Sequence, residues 1–204
     1  MNLAKIKSNA KINLALNILG KFEKLHKIES LIAFIELHDL ISIKKINSKN
    51  HQIIFYGKFA KDISSTNTVS KLLKILEKKK LINQKYLIKI KKNIPQKSGL
   101  GGGSMNAANL LKYFIKKKII KLNKIQILEI ADNIGSDVIL GLNSTHSILT
   151  LKKEIRSYKN CKKLFTLVVK PGFGCSTKEI YSRVKKFDKA KFNNPKKKCL
   201  ILII

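Results

Sequence analysis

The densest chemical signal in the chain is Pro95-Gln96-Lys97-Ser98-Gly99-Leu100-Gly101-Gly102-Gly103-Ser104-Met105. The protein has ten glycines, and four of them fall within five positions of this segment. Glycine admits positive φ and lets backbone N–H groups approach a ligand without a Cβ in the way. The residues that follow carry helical periodicity, and a helix start adds unpaired N–H groups and the positive end of its dipole. The ligand that such a loop suits is phosphate. Ser104 stands where its hydroxyl either caps the helix or binds a phosphate oxygen. A merely flexible turn is the plainer reading, but it does not call for four glycines in a chain that otherwise avoids them.

Two common phosphate loops are excluded by spacing. A Walker A loop ends in Gly-Lys-Ser/Thr, whereas Gly103-Ser104-Met105 has no lysine there. The dinucleotide fingerprint needs glycine or alanine in its sixth position, which Ser104 occupies, and no repeated βαβ unit opens the chain.

Other residues could share chemistry with such a loop. Asp137, beside Gly135 and Ser136, reads equally as a helix N-cap or as a ligand-facing carboxylate. Lys11 is one lysine among many, and by type alone is a surface residue. His26 on a polar stretch reads as an exposed histidine, and Tyr181 as ordinary helix packing. No cluster of His, Cys, Asp or Glu has metal-ligand spacing.

The elements that must position these residues follow from periodicity. Lys5 to Ser8 and Ile12 to Leu19 alternate as short strands, Gly20 to Lys27 is a polar loop, and Ile28 to Leu37 is apolar again. Ile41 to Ile46, Gln52 to Tyr56 and Tyr86 to Ile90 are further strands. Val69, Leu72, Leu73 and Leu76 recur at helical spacing, which predicts a helix over 66–80. Helices are also expected from about Ser104 to Lys118 and from Lys124 to Asn133. Strand character returns at Ser147, with Leu164 to Val169 its clearest instance, and a short helix runs through Tyr181. The mixed order makes the fold class α+β.

The net charge of +31 invites a nucleic-acid-binding reading, but only Arg156 and Arg183 are arginines. Bidentate recognition of phosphates and base edges favours arginine's planar fork. Solvated lysine faces on an enzyme account for the charge, and such a field still attracts anionic substrates. Cys161, Cys175 and Cys199 are odd in number and widely spaced, which fits a reducing cytosol rather than a disulfide framework. No apolar run reaches membrane-spanning length and no leader is apparent, so a soluble, cytoplasmic protein is expected.

The pattern Pro-x-x-x-Gly-Leu-Gly-Gly-Gly-Ser resembles the second motif of the GHMP kinases, which wraps the ATP triphosphate. Other segments are similar to that family in the same order, from about residue 5 to 185. Asn9-Ala10-Lys11-Ile12-Asn13-Leu14 resembles its N-terminal motif, which implies a catalytic Lys11 and a substrate-side Asn13. Gly135-Ser136-Asp137-Val138 resembles the segment that carries the general base, which implies that role for Asp137. His26-Lys27-Ile28-Glu29-Ser30 resembles the region that holds cytidine in the kinases of 4-diphosphocytidyl-2-C-methyl-D-erythritol. Ser176-Thr177-Lys178-Glu179-Ile180-Tyr181 resembles the segment that walls the base, so Thr177 and Tyr181 join His26 as implied substrate contacts. Asn67, in Thr66-Asn67-Thr68-Val69, fits a stretch near the nucleotide, and the whole loop from Pro95 to Met105 is implied to bind ATP with Mg²⁺.

The resemblance implies a ribosomal S5 domain 2-like N-terminal domain over 1–150 and an incomplete C-terminal α/β domain over 151–204. It implies a small-molecule partner, with neither nucleic acid nor membrane. The implied reaction phosphorylates the 2-hydroxyl of the cytidylyl substrate; a homoserine- or mevalonate-type kinase, an inactive nucleotide-binding fragment and a basic nucleic-acid-binding protein are the alternatives. Leu25 replaces the aromatic residue before the histidine, Met105 the loop's second serine, and Ile139-Leu140-Gly141 a proline-aromatic stretch. Residues 186–204 contain no glycine, where the family has a third glycine-rich motif. The apolar run from Leu200 to Ile204 fits a truncated chain or a terminal edge strand.

Overall fold

The computed structural model describes residues 3–22, 25–143, 145–151, 154–157, 165–169, 171–172, 174 and 177–192. In chain order its elements are strands β1 (Ala4–Phe22), β2 (Leu25–Ile46) and β3 (Gln52–Tyr56), helix α1 (Thr68–Lys78), β4 (Lys85–Lys91), α2 (Gly102–Lys116), α3 (Lys124–Ile134), α4 (Val138–Asn143), β5 (Ser147–Leu149), β6 (Ile155–Ser157) and α5 (Thr177–Ser182). They divide into two compact units. The first is Met1–Ala10, Glu36–Gln96 and Gly101–Asn143; the second is Lys11–Ile35, Lys97–Leu100 and Ser144–Ile204.

In the first unit, β3 runs parallel to β4, and β4 is antiparallel to the C-terminal half of β2, with Ile41 opposite Ile90 and Ile43 opposite Ile88. Alternation decides which side chains enter the core: Tyr86, Ile88 and Ile90 are buried, whereas Lys89 and Lys91 point outward. Helix α1 carries Val69, Leu72, Leu73 and Leu76 into that core. Its start is fixed by a capping box, Asn67 Oδ1 accepting from the N–H groups of Val69 and Ser70 while Ser70 Oγ accepts from the Asn67 N–H. Asn123 and Gln126 repeat the device at α3, which ends at Gly135. The core closes around Phe114, fully buried on α2 with its ring 5.1 Å from Tyr86. Truncating such a ring to alanine costs about 3–5 kcal/mol.

In the second unit, the N-terminal half of β2 pairs antiparallel with β5, Leu31 facing Ile148, and β5 pairs antiparallel with β6. The stretch after α5 lies against the strands of the same unit. Asp188 N–H donates to the Ile18 carbonyl at 2.9 Å, and Lys191 and Phe192 donate their N–H groups to the Glu29 carboxylate at 2.7 and 2.9 Å.

Several expectations change. The two short strands at 5–8 and 12–19 are one strand, and Ile28–Leu37 and Ile41–Ile46 are likewise one. Much of the expected loop at Gly20–Lys27 is strand, because polar residues do not interrupt an extended backbone whose ladder bonds are made. Residues 165–169 form no strand: Phe165, Leu167 and Val169 are strongly exposed and no described neighbour pairs with them. Helix α4 was not foreseen. Cys161, Cys175 and Cys199 lie outside the described residues.

Candidate functional site

The glycine-rich loop joins β4 to α2, and its backbone shows why the glycines are there. Lys97, Gly99 and Gly101 have φ of 50°, 74° and 69°, so every second residue takes the left-handed conformation. Alternation of this kind turns backbone N–H groups toward one concavity, the arrangement that binds anions. Gly101 is the N-cap of α2 and, being glycine, brings no capping side chain of its own. Ser104 is therefore not the cap; it is the third helical residue, half-exposed. Met105 is wholly buried, and its N–H donates to the Gly101 carbonyl at 2.9 Å. Its side chain packs toward Gly141 of α4 rather than into the loop.

Gln96 spends its amide on the chain itself, Nε2 donating to the carbonyls of Lys61 at 2.6 Å and Phe59 at 3.2 Å. A Cβ on Gly102 would lie 3.0 Å from Ile94 Cγ2, so a side chain there would press on its neighbours. Asn67 serves as the α1 cap. The neighbouring Thr68, which sequence reasoning passed over, donates its hydroxyl to the Gly103 carbonyl at 2.6 Å.

Within the second unit, Lys11 is 5% exposed. Its N–H donates to the Leu100 carbonyl at 3.0 Å, which brings β1 to the tip of the glycine loop. Two residues along the same face, Asn13 Oδ1 accepts from Lys11 Nζ at 3.4 Å and lies 3.3 Å from Ser30 Oγ. The structure thus unites Lys11, Asn13, Ser30 and the Leu100 backbone. His26 and Tyr181, both implied substrate contacts, pack on each other with ring centroids 5.2 Å apart and tilted by 38°. Thr177 is the first residue of α5.

Asp137 belongs to the first unit, in the turn between α3 and α4. The Gly135 carbonyl accepts from Val138 N–H at 3.0 Å, and the Asp137 carbonyl from Leu140 N–H at 3.2 Å. These bonds start α4 and leave the carboxylate half-exposed at its N-terminal end.

A polar network at the root of the loop was also missed. Asp39, fully buried on β2, accepts from Lys92 Nζ, from the N–H groups of Asn93 and Ile94 at 2.8 and 2.9 Å, and from Asn106 Nδ2 at 2.9 Å. The sequence signal was an aspartate inside an apolar strand, Leu37-His38-Asp39-Leu40-Ile41, together with an asparagine on the apolar side of α2. Lys92 is hidden among so many other lysines.

Among the described residues no group of three or more His, Cys, Asp or Glu could hold a metal ion, and no helix is long and apolar enough to cross a membrane. A groove lined by Lys71, Lys74, Ile75, Lys78, Lys79 and Asn133 includes none of the residues above.

Residues 67–148 match the family described as GHMP kinases N terminal domain. A 4-diphosphocytidyl-2-C-methyl-D-erythritol kinase of Pelagibacter ubique (strain HTCC1062) is 58% identical over 97% of this chain and 71% of its own length. One from Clostridium beijerinckii (strain ATCC 51743 / NCIMB 8052) is 34% identical over 87% of this chain and 63% of its own. The chain thus spans about two thirds of the curated relatives it matches. A crystal structure of a 4-(cytidine 5'-diphospho)-2C-methyl-D-erythritol kinase superposes with a TM-score of 0.59 at 22% identity, over 76% of this chain and 55% of that one. The fold is shared with that structure, and 58% identity along nearly the whole sequence is far too much for a shared fold alone: this chain belongs to the 4-diphosphocytidyl-2-C-methyl-D-erythritol kinase family, a branch of the GHMP kinases.

Proposed function

We propose that this chain takes part in moving the γ-phosphoryl group of ATP to the 2-hydroxyl of 4-diphosphocytidyl-2-C-methyl-D-erythritol. The observation that carries the reading is the loop of alternating left-handed residues at 97, 99 and 101 leading into the start of α2, whose N-cap is Gly101. It offers backbone N–H groups and a helix dipole to a triphosphate. Residues Pro95 to Met105 are its frame, with Asn67 and Thr68 fixing the adjoining helix.

In this reading Asp137 accepts the proton of the attacking hydroxyl. The substrate oxygen forms its bond to the γ-phosphorus as the bond to the β,γ-bridging oxygen breaks, and ADP leaves. Lys11 supplies positive charge against the charge that develops on the transferred group. Asn13, His26, Thr177 and Tyr181 hold the cytidylyl substrate, with Tyr181 offering the base an aromatic face. Mg²⁺ would enter with ATP as the Mg·ATP substrate and would neutralise phosphate charge during transfer. The same reading assigns 1–150 to ATP binding and 151–204 to the start of a second domain, in a cytoplasmic enzyme.

The test is phosphate transfer by the 204-residue chain and by its Asp137→Asn variant, with ATP binding measured in parallel. Turnover that falls by about 10²- to 10⁴-fold in the variant, at unchanged ATP affinity, is expected of a lost general base. A folded chain that neither turns over nor binds ATP would sink the reading.

A further inference from the structure

We propose that Asp39 is a positioning residue for the phosphate loop, setting the separation of the loop's two roots through a single buried carboxylate. The inference rests on the phosphate-binding role of the loop proposed above. One carboxylate oxygen accepts the N–H groups of Asn93 and Ile94, the residues that lead into Pro95. The other accepts from Lys92 Nζ and from Asn106 Nδ2, in the second turn of α2. The chain before the loop and the helix after it are thus tied to one point. Asp39, Lys92 and Asn106 are 0%, 4% and 1% exposed, so these bonds are shielded from bulk solvent.

Two details argue that position rather than stability is what the network secures. Among the described residues Asn106 Oδ1 is buried with no hydrogen-bond partner, so the amide is held by its Nδ2 bond to Asp39. A buried ion pair is also no better for stability than an apolar pair of the same volume. What an apolar pair lacks is direction. The Lys92 ammonium sits beneath the first turn of α2, 3.2 Å from where a Cβ on Gly102 would be. There an unpaired ammonium would oppose the helix dipole, and Asp39 neutralises it, so that what the pair gives the loop is position and not charge.

Two variants separate these roles: Asp39→Asn, which is isosteric, and the apolar pair Asp39→Leu with Lys92→Met. ATP and adenosine affinities are measured for both and for the parent chain, with circular dichroism and thermal melting to establish folding. Adenosine lacks the phosphates that the loop holds, so the ATP-to-adenosine affinity ratio reports on loop geometry and not on global stability. The expected result is a ratio lowered by about ten- to a hundredfold in whichever variant folds, at unchanged adenosine affinity. An unchanged ratio in a folded variant overturns the proposal, as does failure of both variants to fold, which would make the network purely structural. A parent chain that binds adenosine no more weakly than ATP overturns the phosphate-loop reading itself.

Discussion

Thr68 Oγ1 donates to the carbonyl oxygen of Gly103 at 2.6 Å, joining the first turn of α1 to the first turn of α2. The carbonyl belongs to the glycine loop's final residues, so a side chain on one helix braces the backbone that opens the other. Thr68→Val keeps the shape and removes the donor. Unfolding experiments in urea should show a loss of about 0.5–1.5 kcal/mol, with a weakening of ATP binding that Ser at the same position restores.

The glycines differ in what they tolerate. A methyl group on Gly102 meets Ile94 Cγ2 at 3.0 Å and Lys92 Nζ at 3.2 Å, whereas one on Gly135 meets nothing within 4 Å. Gly102→Ala should cost about 1–3 kcal/mol through overpacking and should weaken ATP binding. Gly135→Ala should stay within about 0.5 kcal/mol of the parent protein. Thermal melts of the two variants side by side check the contrast.

Acid should destabilise the first unit through His51. Tyr86 N–H donates to its Nδ1 at 3.0 Å, and its Nε2 lies 3.3 Å from Glu77 Oε1. Burial, aided by the charge of Lys85, holds the imidazole below its ordinary value of 6.5 despite the opposing pull of Glu77. The unfolded chain therefore binds the proton more readily, and stability is full above 6.5 and declines as pH falls through the folded value. Glu77, lowered chiefly by its bond from Lys85, adds a loss in the same direction below 4.5. Urea midpoints at about pH 7.5 and 5.5 should differ in the parent protein and differ less in His51→Asn.

Glu29 gives a local test. Fully buried, it accepts from Asn17 Nδ2 at 2.9 Å and from the N–H groups of Lys191 and Phe192. Glu29→Gln replaces one acceptor oxygen by a donor and removes the charge, a loss of about 1.5–3 kcal/mol for charged hydrogen bonds. Hydrogen exchange at the amides of 191 and 192 should accelerate, while amides of Leu72 and Leu73 keep their protection.

The helices were legible because their signals are local. Val69, Leu72, Leu73 and Leu76 announce α1 by spacing, and the expected helix from Lys124 to Asn133 lies within one residue of α3. The glycine loop was legible by composition, although the left-handed Lys97 was not, since nothing about a lysine marks it. What could not be read depends on partners distant in sequence. Asp39 is intelligible only with Lys92 and Asn106 beside it, and β2 reads as two strands until its two ladders are seen. Residues 165–169 failed the other way: an apolar, β-branched stretch favours a strand, but a strand also needs a neighbour to bond.

Gly141 and Ala108 have one methyl group between them. A Cβ on Gly141 would fall 2.6 Å from the Cβ of Ala108, so α4 can lie against α2 only while one of the two positions is bare. Sterically, what the packing fixes is the sum of the two side chains and not the identity of either. Relatives that carry alanine at the position of Gly141 should therefore carry glycine at that of Ala108, and the two sites should vary together as a single inherited character. Because α4 begins one residue after Asp137, that shared methyl also governs where the carboxylate can stand.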